Sequence, residues 1–173
     1  MTERLEFTVL GRPQPAGSKK VVTAGGKPGG RPMLVEDAKR SKPWQAVVTA
    51  IAFEEMHARE QLAGPLLLEV DFYLARPRGH YGTGRNFDKL KPSAPRYPAV
   101  KPDATKLIRA VEDAITAAGV WRDDAQIVTQ VVRKRYGHPE RAEVLVATIA
   151  PSLDEVDERL ATAAPQLNLR AEF

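Results

Sequence analysis

The sequence contains no cysteine, and only 6% of its 173 residues are aromatic. The absence of cysteine excludes disulfide scaffolds, thiolate zinc sites and cysteine nucleophiles, and it favours a reducing compartment. No stretch approaches the roughly 18 consecutive apolar residues of a transmembrane helix, and residues 1–10 lack the apolar segment of a signal peptide. These absences predict a cytoplasmic protein with no membrane partner.

The charge of the chain is weakly positive and unevenly distributed. Lys and Arg number 26 against 22 Asp and Glu, which gives a net charge of +4 and allows an anionic partner. Residues 1–101 carry 17 basic and 10 acidic side chains, whereas residues 102–173 carry 9 and 12. This division suits a phosphate-binding surface beside carboxylates that hold a metal, although solvated surfaces also segregate charge in this way.

Alternating apolar residues predict the strands. Residues 5–9 alternate apolar and polar side chains, and residues 66–74 do so more clearly, with Asp71 on the less apolar face. Residues 126–135 and 144–149, which are separated by a Gly-His-Pro turn, predict two further strands that form a hairpin.

Apolar residues at steps of three and four predict the helices. One helix is expected from Pro43 to about His57 or Arg59, and a second, strongly amphipathic helix follows Asp103, which could cap it. A capping box at Ser152 predicts a last helix. The order is then roughly β-α-β-α-β-β-α, which predicts a small α+β domain with a mixed β-sheet and helices packed on it.

Two long irregular segments, residues 11–33 and 76–100, are rich in glycine, proline and basic residues. The first has the spacing of neither a P-loop nor a dinucleotide fingerprint, and the second mixes aromatic with basic residues, a composition that suits DNA contact. A solvated surface is the alternative for each of these side chains. The DNA-contact candidates are Lys19, Lys20, Lys27 and Arg31 in the first loop and Arg76, Arg78, Arg85, Lys89 and Lys91 in the second.

Carboxylates concentrate at the two ends of the second helix, with Asp103 before it and Asp123 and Asp124 in a turn after it. If the chain reversal brings these ends together, the oxygens suit Mg²⁺, which often uses only one or two carboxylates besides water and phosphate. Alternatively, Asp103 is only a helix cap and the other two are ordinary turn residues.

Several motifs in the second half of the chain resemble the signature of RusA-type Holliday junction resolvases. They are Lys101-Pro102-Asp103, then Asp113-Ala114-Ile115, and then Gly-Val-Trp-Arg-Asp-Asp-Ala-Gln at residues 119–126. More loosely, Gly11-Arg12-Pro13 and Ser18-Lys19-Lys20 resemble the early basic loop of that family.

The resemblance implies a small α+β homodimer that binds four-way DNA junctions in recombination and repair. It implies Mg²⁺, with Mn²⁺ as a substitute, held by aspartates, and symmetric cutting of two strands by a two-fold dimer. It also implies a phage or prophage origin, which is common in the family. Because residues 165–173 follow the last predicted helix, we expect one nuclease domain over residues 1–164 with residues 165–173 as a tail.

The family's functional positions fall on particular residues of this chain. Asp103 lies at the first catalytic aspartate and Asp124 at the late one, with Asp123 adjoining, so the resemblance makes these three the metal ligands. Arg109 lies at a family lysine, where it would orient phosphate or stabilise transition-state charge.

The chain departs from the family at the position two residues after Asp103. Thr105 stands where the family has a second aspartate, and Lys106 stands at the usual Asn. Thr105 could bind a metal-coordinated water, or Asp71 or Asp113 could substitute as a ligand. For Asp113, the alternative is a surface ion pair with Arg109, four residues earlier.

Three functions therefore stay open at this point. The first is a magnesium-dependent junction endonuclease, and the second is a catalytically impaired protein that binds branched DNA. The third is a nuclease that prefers flaps or simple duplex.

Overall fold

The computed structural model describes residues 3–17, 19–23, 32–36, 41–57 and 59–149, and for residues 19–23 and 32–36 it describes the backbone alone. The predicted last helix after Ser152 and the tail from residue 165 lie outside these ranges. No helix within them has both the length and the apolar character needed to span a bilayer.

The described chain forms six strands and two α-helices, so the predicted α+β fold with a mixed sheet is confirmed. In chain order these are β1 (Arg4–Leu10), β2 (Lys19–Thr23), β3 (Pro32–Glu36), α1 (Ser41–Met56), β4 (Leu66–Leu74), α2 (Ala104–Ala117), β5 (Ile127–Tyr136) and β6 (Arg141–Thr148).

The segment predicted as a basic loop at residues 11–33 is in part regular structure. β2 and β3 pair antiparallel as a separate two-stranded sheet, with Lys19 opposite Glu36 and Thr23 opposite Pro32. The prediction missed these strands because their apolar runs are short and lie among glycines and prolines, whose turn signal dominates any local pattern.

The main sheet has four strands in the order β1-β6-β4-β5, so the predicted hairpin of β5 and β6 is wrong. β4 lies between them, parallel to β5 and antiparallel to β6. The link between β5 and β6 crosses the end of β4, where the Gly137 amide donates to the Leu74 carbonyl at 3.0 Å. A Cβ on Gly137 would lie 2.6 Å from the Tyr73 ring, so this crossing requires glycine.

The reason for the central position of β4 is its apolar side. Leu66, Leu68, Val70 and Phe72 are each 0% exposed and face the two helices in the core. A strand this apolar is most stable when both of its edges are paired and its face is covered.

The two helices pack on each other and on one face of the sheet, which sets the surroundings of α2. The buried side of α2 includes Leu107, Val111 and Ile115, which confirms the predicted amphipathic helix. The opposite sheet face carries paired charges, among them Glu69 and Arg133. Residues on that face are separated from α2 by the whole thickness of the sheet.

Candidate active site

The predicted catalytic residues lie along the contact between α2 and β5. β5 runs back beside α2, and Gln130 on β5 donates a hydrogen bond to Glu112 on α2. Near the other end of β5, the Lys134 amine donates to the Pro102 carbonyl at 2.8 Å, next to Asp103. We call this contact the α2–β5 seam.

The turn after α2 is held by a dense set of hydrogen bonds. Asp123 caps a short 3₁₀ helix, Asp124–Gln126, by accepting from the Ala125 amide at 2.8 Å. The Gln126 side-chain oxygen accepts from the amides of Arg122 and Asp123, and its nitrogen donates to the carbonyls of Leu62 and Gly64. One Asp123 oxygen therefore bonds within the turn, as expected for an ordinary turn residue. The Asp124 side chain is exposed.

Trp121 anchors this turn to the body of the protein. Its side chain is 1% exposed, and its indole nitrogen donates to the Thr116 hydroxyl at 2.7 Å. The chain reaches it through Gly119, whose φ of +74° is the left-handed conformation that ends α2. The rigid turn fixes the backbone from which Asp124 projects.

Glu112 is a carboxylate that the sequence analysis did not select. It is half-buried on α2, and burial raises its pKa above the ordinary range, with a further increase from the charges of Asp124 and Asp113. The hydrogen bond from Gln130 and the charge of Arg109 act in the opposite direction. Glu112 lies seven residues, or two helical turns, after Thr105, so both residues lie on the same side of α2. This spacing was the sequence signal that could have identified Glu112.

Asp103 occupies the N-cap position of α2, but its side chain makes no capping hydrogen bond. Its carboxylate is 56% exposed and lies 3.8 Å from the Lys106 amine. Thr105 is also exposed in this first turn.

The two substitute ligands considered for Thr105 lie elsewhere. Asp71 accepts from Arg133 at 3.1 Å and from Arg135 at 2.8 Å, on the sheet face away from α2. Asp113 accepts from Gln45 of α1 at 3.4 Å, so the predicted ion pair with Arg109 is not formed. Asp71 occupies the side of β4 that faces away from α2, and Asp113 occupies the side of α2 that faces Gln45 of α1.

The ends of α2 are well separated. Its 14 residues span about 21 Å, so Asp103 and the turn that carries Asp124 flank a long helix. Across the described ranges, no three His, Cys, Asp or Glu side chains form a group that could hold a metal ion. Among the described residues, besides burial, the charges of Asp124 and Asp113 both raise the pKa of Glu112, which lies on the α2–β5 seam.

Comparison with known proteins identifies the family. The family model for endodeoxyribonuclease RusA matches residues 11–147. The chain belongs to the RusA endodeoxyribonuclease family. It is also 26% identical over 147 residues to the uncharacterized protein YqaN of Bacillus subtilis (strain 168), a match that covers 84% of this chain and 97% of YqaN. The predicted RusA-type resemblance, and with it a nuclease family, is therefore confirmed.

In this RusA-family chain, three of the predicted DNA contacts hold the segment 76–100 together. Arg76 donates to the Pro95 carbonyl at 2.7 Å, Arg78 to the Phe87 carbonyl at 2.6 Å, and Lys91 to the Gly79 carbonyl at 2.8 Å. Composition cannot distinguish such internal bonds from DNA contacts, because both use the same cationic side chains.

The other cations differ from these three. The side chains of Arg85 and Lys89 are exposed and make no hydrogen bond with another described residue, and these two residues flank Phe87, which is 57% exposed. Lys19 and Lys20 belong to β2, where only the backbone is described, and Lys27 and Arg31 lie outside the described residues. The segment therefore presents two cations beside an exposed ring.

Proposed function

We propose that this RusA-family protein is a magnesium-dependent, structure-selective endonuclease that cuts four-way DNA junctions as a homodimer during recombination and repair. The observation that carries the proposal is the position of Asp124, exposed on a fixed turn and electrostatically coupled to Glu112. Arg109 adds a cation to the same side of α2. Carboxylates beside a cation suit the hydrolysis of a phosphodiester.

The donor set fits Mg²⁺ in number and kind. This ion commonly uses one or two carboxylates, and water and substrate phosphate complete its octahedron. Glu112 and Asp124 would hold it at the turn, with Asp123 as a neighbouring ligand. Asp103, which the resemblance makes a ligand, lies before the other end of α2. Mn²⁺, which has similar oxygen preferences, would substitute. When bound, the metal would lower the pKa of a water and polarise the scissile phosphate.

The chain's own residues would bind and orient the DNA strand. The Arg109 side chain makes no ion pair or hydrogen bond with any other residue in the described ranges, so its guanidinium is available to phosphate oxygens. Gln130 holds the Glu112 carboxylate towards β5. Arg85 and Lys89 would bind backbone phosphates while the exposed Phe87 ring stacks on a base.

A labelled four-way junction tests this function directly. We expect paired symmetric cuts in Mg²⁺ or Mn²⁺, no cuts in chelator, and much slower cutting of linear duplex and flap controls. A two-fold dimer matches the near two-fold symmetry of the junction, so each protomer would cut one strand. Equal cutting of flaps would contradict junction selectivity.

The catalytically impaired alternative rests on one observation, which is that Thr105 replaces a carboxylate of the family pattern. It predicts tight junction binding with no cleavage in either metal. That outcome, reproduced with protein at concentrations that saturate the junction, would replace the endonuclease proposal.

Replacing Glu112 tests whether it belongs to the site. We expect Glu112→Gln to slow cleavage about tenfold and to raise the Mg²⁺ concentration needed for half-maximal rate, because an amide is a weaker metal ligand than a carboxylate. The measurement is a single-turnover rate at several Mg²⁺ concentrations. Glu60→Gln is the matched control, since Glu60 is exposed outside the α2–β5 seam. An unchanged Mg²⁺ dependence would remove Glu112 from the site.

A further inference from the structure

The outward side of α1 is apolar although it is exposed. Five exposed residues recur there at steps of three and four, and we call them the α1 face: Pro43, Ala46, Val47, Ala50 and Phe53. Phe53 is 68% exposed and Val47 is 45% exposed. The eleven residues from Pro43 to Phe53 include no charged side chain. A helix that is apolar on every side is normally buried on every side, so this face calls for a partner.

The charges of α1 lie at its two ends. Lys42 is in the first turn and Glu54 and Glu55 are in the last, so each opposes the helix macrodipole, which favours acids at the start and bases at the end. The side chains of Lys42 and Glu54 are exposed and make no ion pair with another described residue. A second α1 in antiparallel orientation would bring each Lys42 to the Glu54 of the other copy, beside the helix pole of opposite sign.

We propose that the α1 face is the two-fold interface of the homodimer, with α1 of one copy antiparallel to α1 of the other. Three pairs share one register centred on residue 48, namely Lys42 with Glu54, Pro43 with Phe53, and Ala46 with Ala50. The alanines let the two helices approach closely, and each Phe53 ring packs against a proline of the other copy. DNA does not suit this face, because the face has no cation to bind phosphate. This inference rests on the proposed function for the number of copies, and it assigns the surface where they meet.

This interface would leave the α2–β5 seam open. On the flank of α1, the Thr49 hydroxyl donates to the Ala114 carbonyl of α2 at 3.0 Å. Glu112 precedes Ala114 by two residues and therefore lies on the opposite side of α2, where it faces β5. Both seams of the dimer would remain accessible, one for each strand that is cut.

Sedimentation equilibrium of the full chain, without DNA or metal, gives the Kd of the dimer for each variant. We expect Val47→Glu to raise this Kd at least about 100-fold, because it places two acids beside the two-fold axis and like charges across an interface repel strongly. Leu10→Glu is the matched control, since Leu10 is 64% exposed on β1 and lies outside the α1 face. Thermal unfolding confirms that both variants fold.

Exchanging the end charges tests the antiparallel orientation. Lys42→Glu and Glu54→Lys should each raise the dimer Kd about tenfold, and the double variant should return it to within about threefold of the wild type. The two positions are twelve residues apart, about 18 Å along α1, so this rescue requires contact between copies. Parallel helices would give no rescue and would overturn the proposed orientation.

The absence of cysteine from the sequence allows a direct test of proximity. Val47→Cys introduces a single thiol beside the proposed two-fold axis, so a mild oxidant should join two copies through a disulfide, which requires Cα atoms within about 7 Å of each other. Leu10→Cys is the control and should stay unlinked under the same conditions.

Three outcomes would overturn the inference. The first is equal dimer Kd values for Val47→Glu and Leu10→Glu. The second is a monomeric wild type, which would leave the α1 face to a segment of this chain outside the described ranges. The third is loss of the dimer in Val128→Glu alone, which would place the interface on the open edge of β5, where Val128 is 63% exposed.

A separate cleavage assay keeps the two proposals apart. If the α1 variants lose the dimer as expected but the wild type cuts no branched DNA in Mg²⁺ or Mn²⁺, the endonuclease proposal fails and the interface stands. If the wild type makes paired cuts in junctions and the α1 variants remain dimeric, the interface fails and the endonuclease stands.

Discussion

We expect Asp124→Asn to lower the single-turnover rate of the proposed junction cleavage on the order of 100-fold or more. Asp124 is exposed on the turn that Asp123 and Gln126 hold in place, and together with burial of Glu112, its charge is one of those that raise the pKa of Glu112. Asparagine keeps the size of the side chain and removes the negative charge that binds a cation. The change should therefore affect chemistry rather than folding.

Binding and cleavage have to be measured together for this variant. We expect the Kd for the junction in chelator to change by less than about twofold, because phosphate contacts by cations dominate affinity. Asp88→Asn is the matched control, since Asp88 is an exposed acid in the segment 76–100 and its loss changes net charge equally. If both variants cut at the wild-type rate, Asp124 has no role in the reaction.

Trp121→Ala should lower the free energy of unfolding by about 3–5 kcal/mol, the usual cost of removing a large buried aromatic side chain. Trp121 is 1% exposed and its indole nitrogen bonds to Thr116, while the adjacent Val120 carbonyl accepts from the Leu62 amide at 2.8 Å. The substitution leaves a cavity and an unpaired hydroxyl at the base of the turn. Urea unfolding followed by circular dichroism measures the loss.

Trp121→Phe separates packing from the hydrogen bond. It keeps most of the buried ring and loses the indole donor, so we expect a loss of about 1 kcal/mol from the bond together with a smaller packing cost. Trp121→Ala protein that remains folded at low temperature should also cut more slowly, because the turn that carries Asp124 is no longer anchored. A loss below about 1 kcal/mol for Trp121→Ala would contradict the assigned anchoring role.

Local periodicity determined much of the fold. The alternation over residues 66–74 predicted β4 with its observed bounds, and steps of three and four predicted α2 and its buried side. These predictions succeeded because the pattern of one element records which of its faces is buried, and that is a local property. The motif at residues 119–126 indicated the family correctly for a similar reason, because it can be recognised from the local sequence without knowledge of distant contacts.

Contacts between elements were decided by the tertiary structure. β5 and β6 are joined by a short link, as hairpin strands are, but the more apolar β4 takes the place between them. Likewise, Arg76, Arg78 and Lys91 bond within their own segment, although their sequence context resembles that of Arg85 and Lys89. Which partner a strand or a cation finds depends on burial elsewhere in the chain.

For the candidate site too, some features were determined by the sequence and others only by the tertiary structure. The sequence by itself determined the α+β class, the RusA resemblance and the carboxylates at the two ends of α2. Only the tertiary structure decided that the charge of Asp124 raises the pKa of Glu112 and that Asp71 is on the other side of the sheet. The physical reason is that the direction of the chain after α2 follows from long-range bonds such as those of Gln126 to residues 62 and 64, which no local pattern encodes.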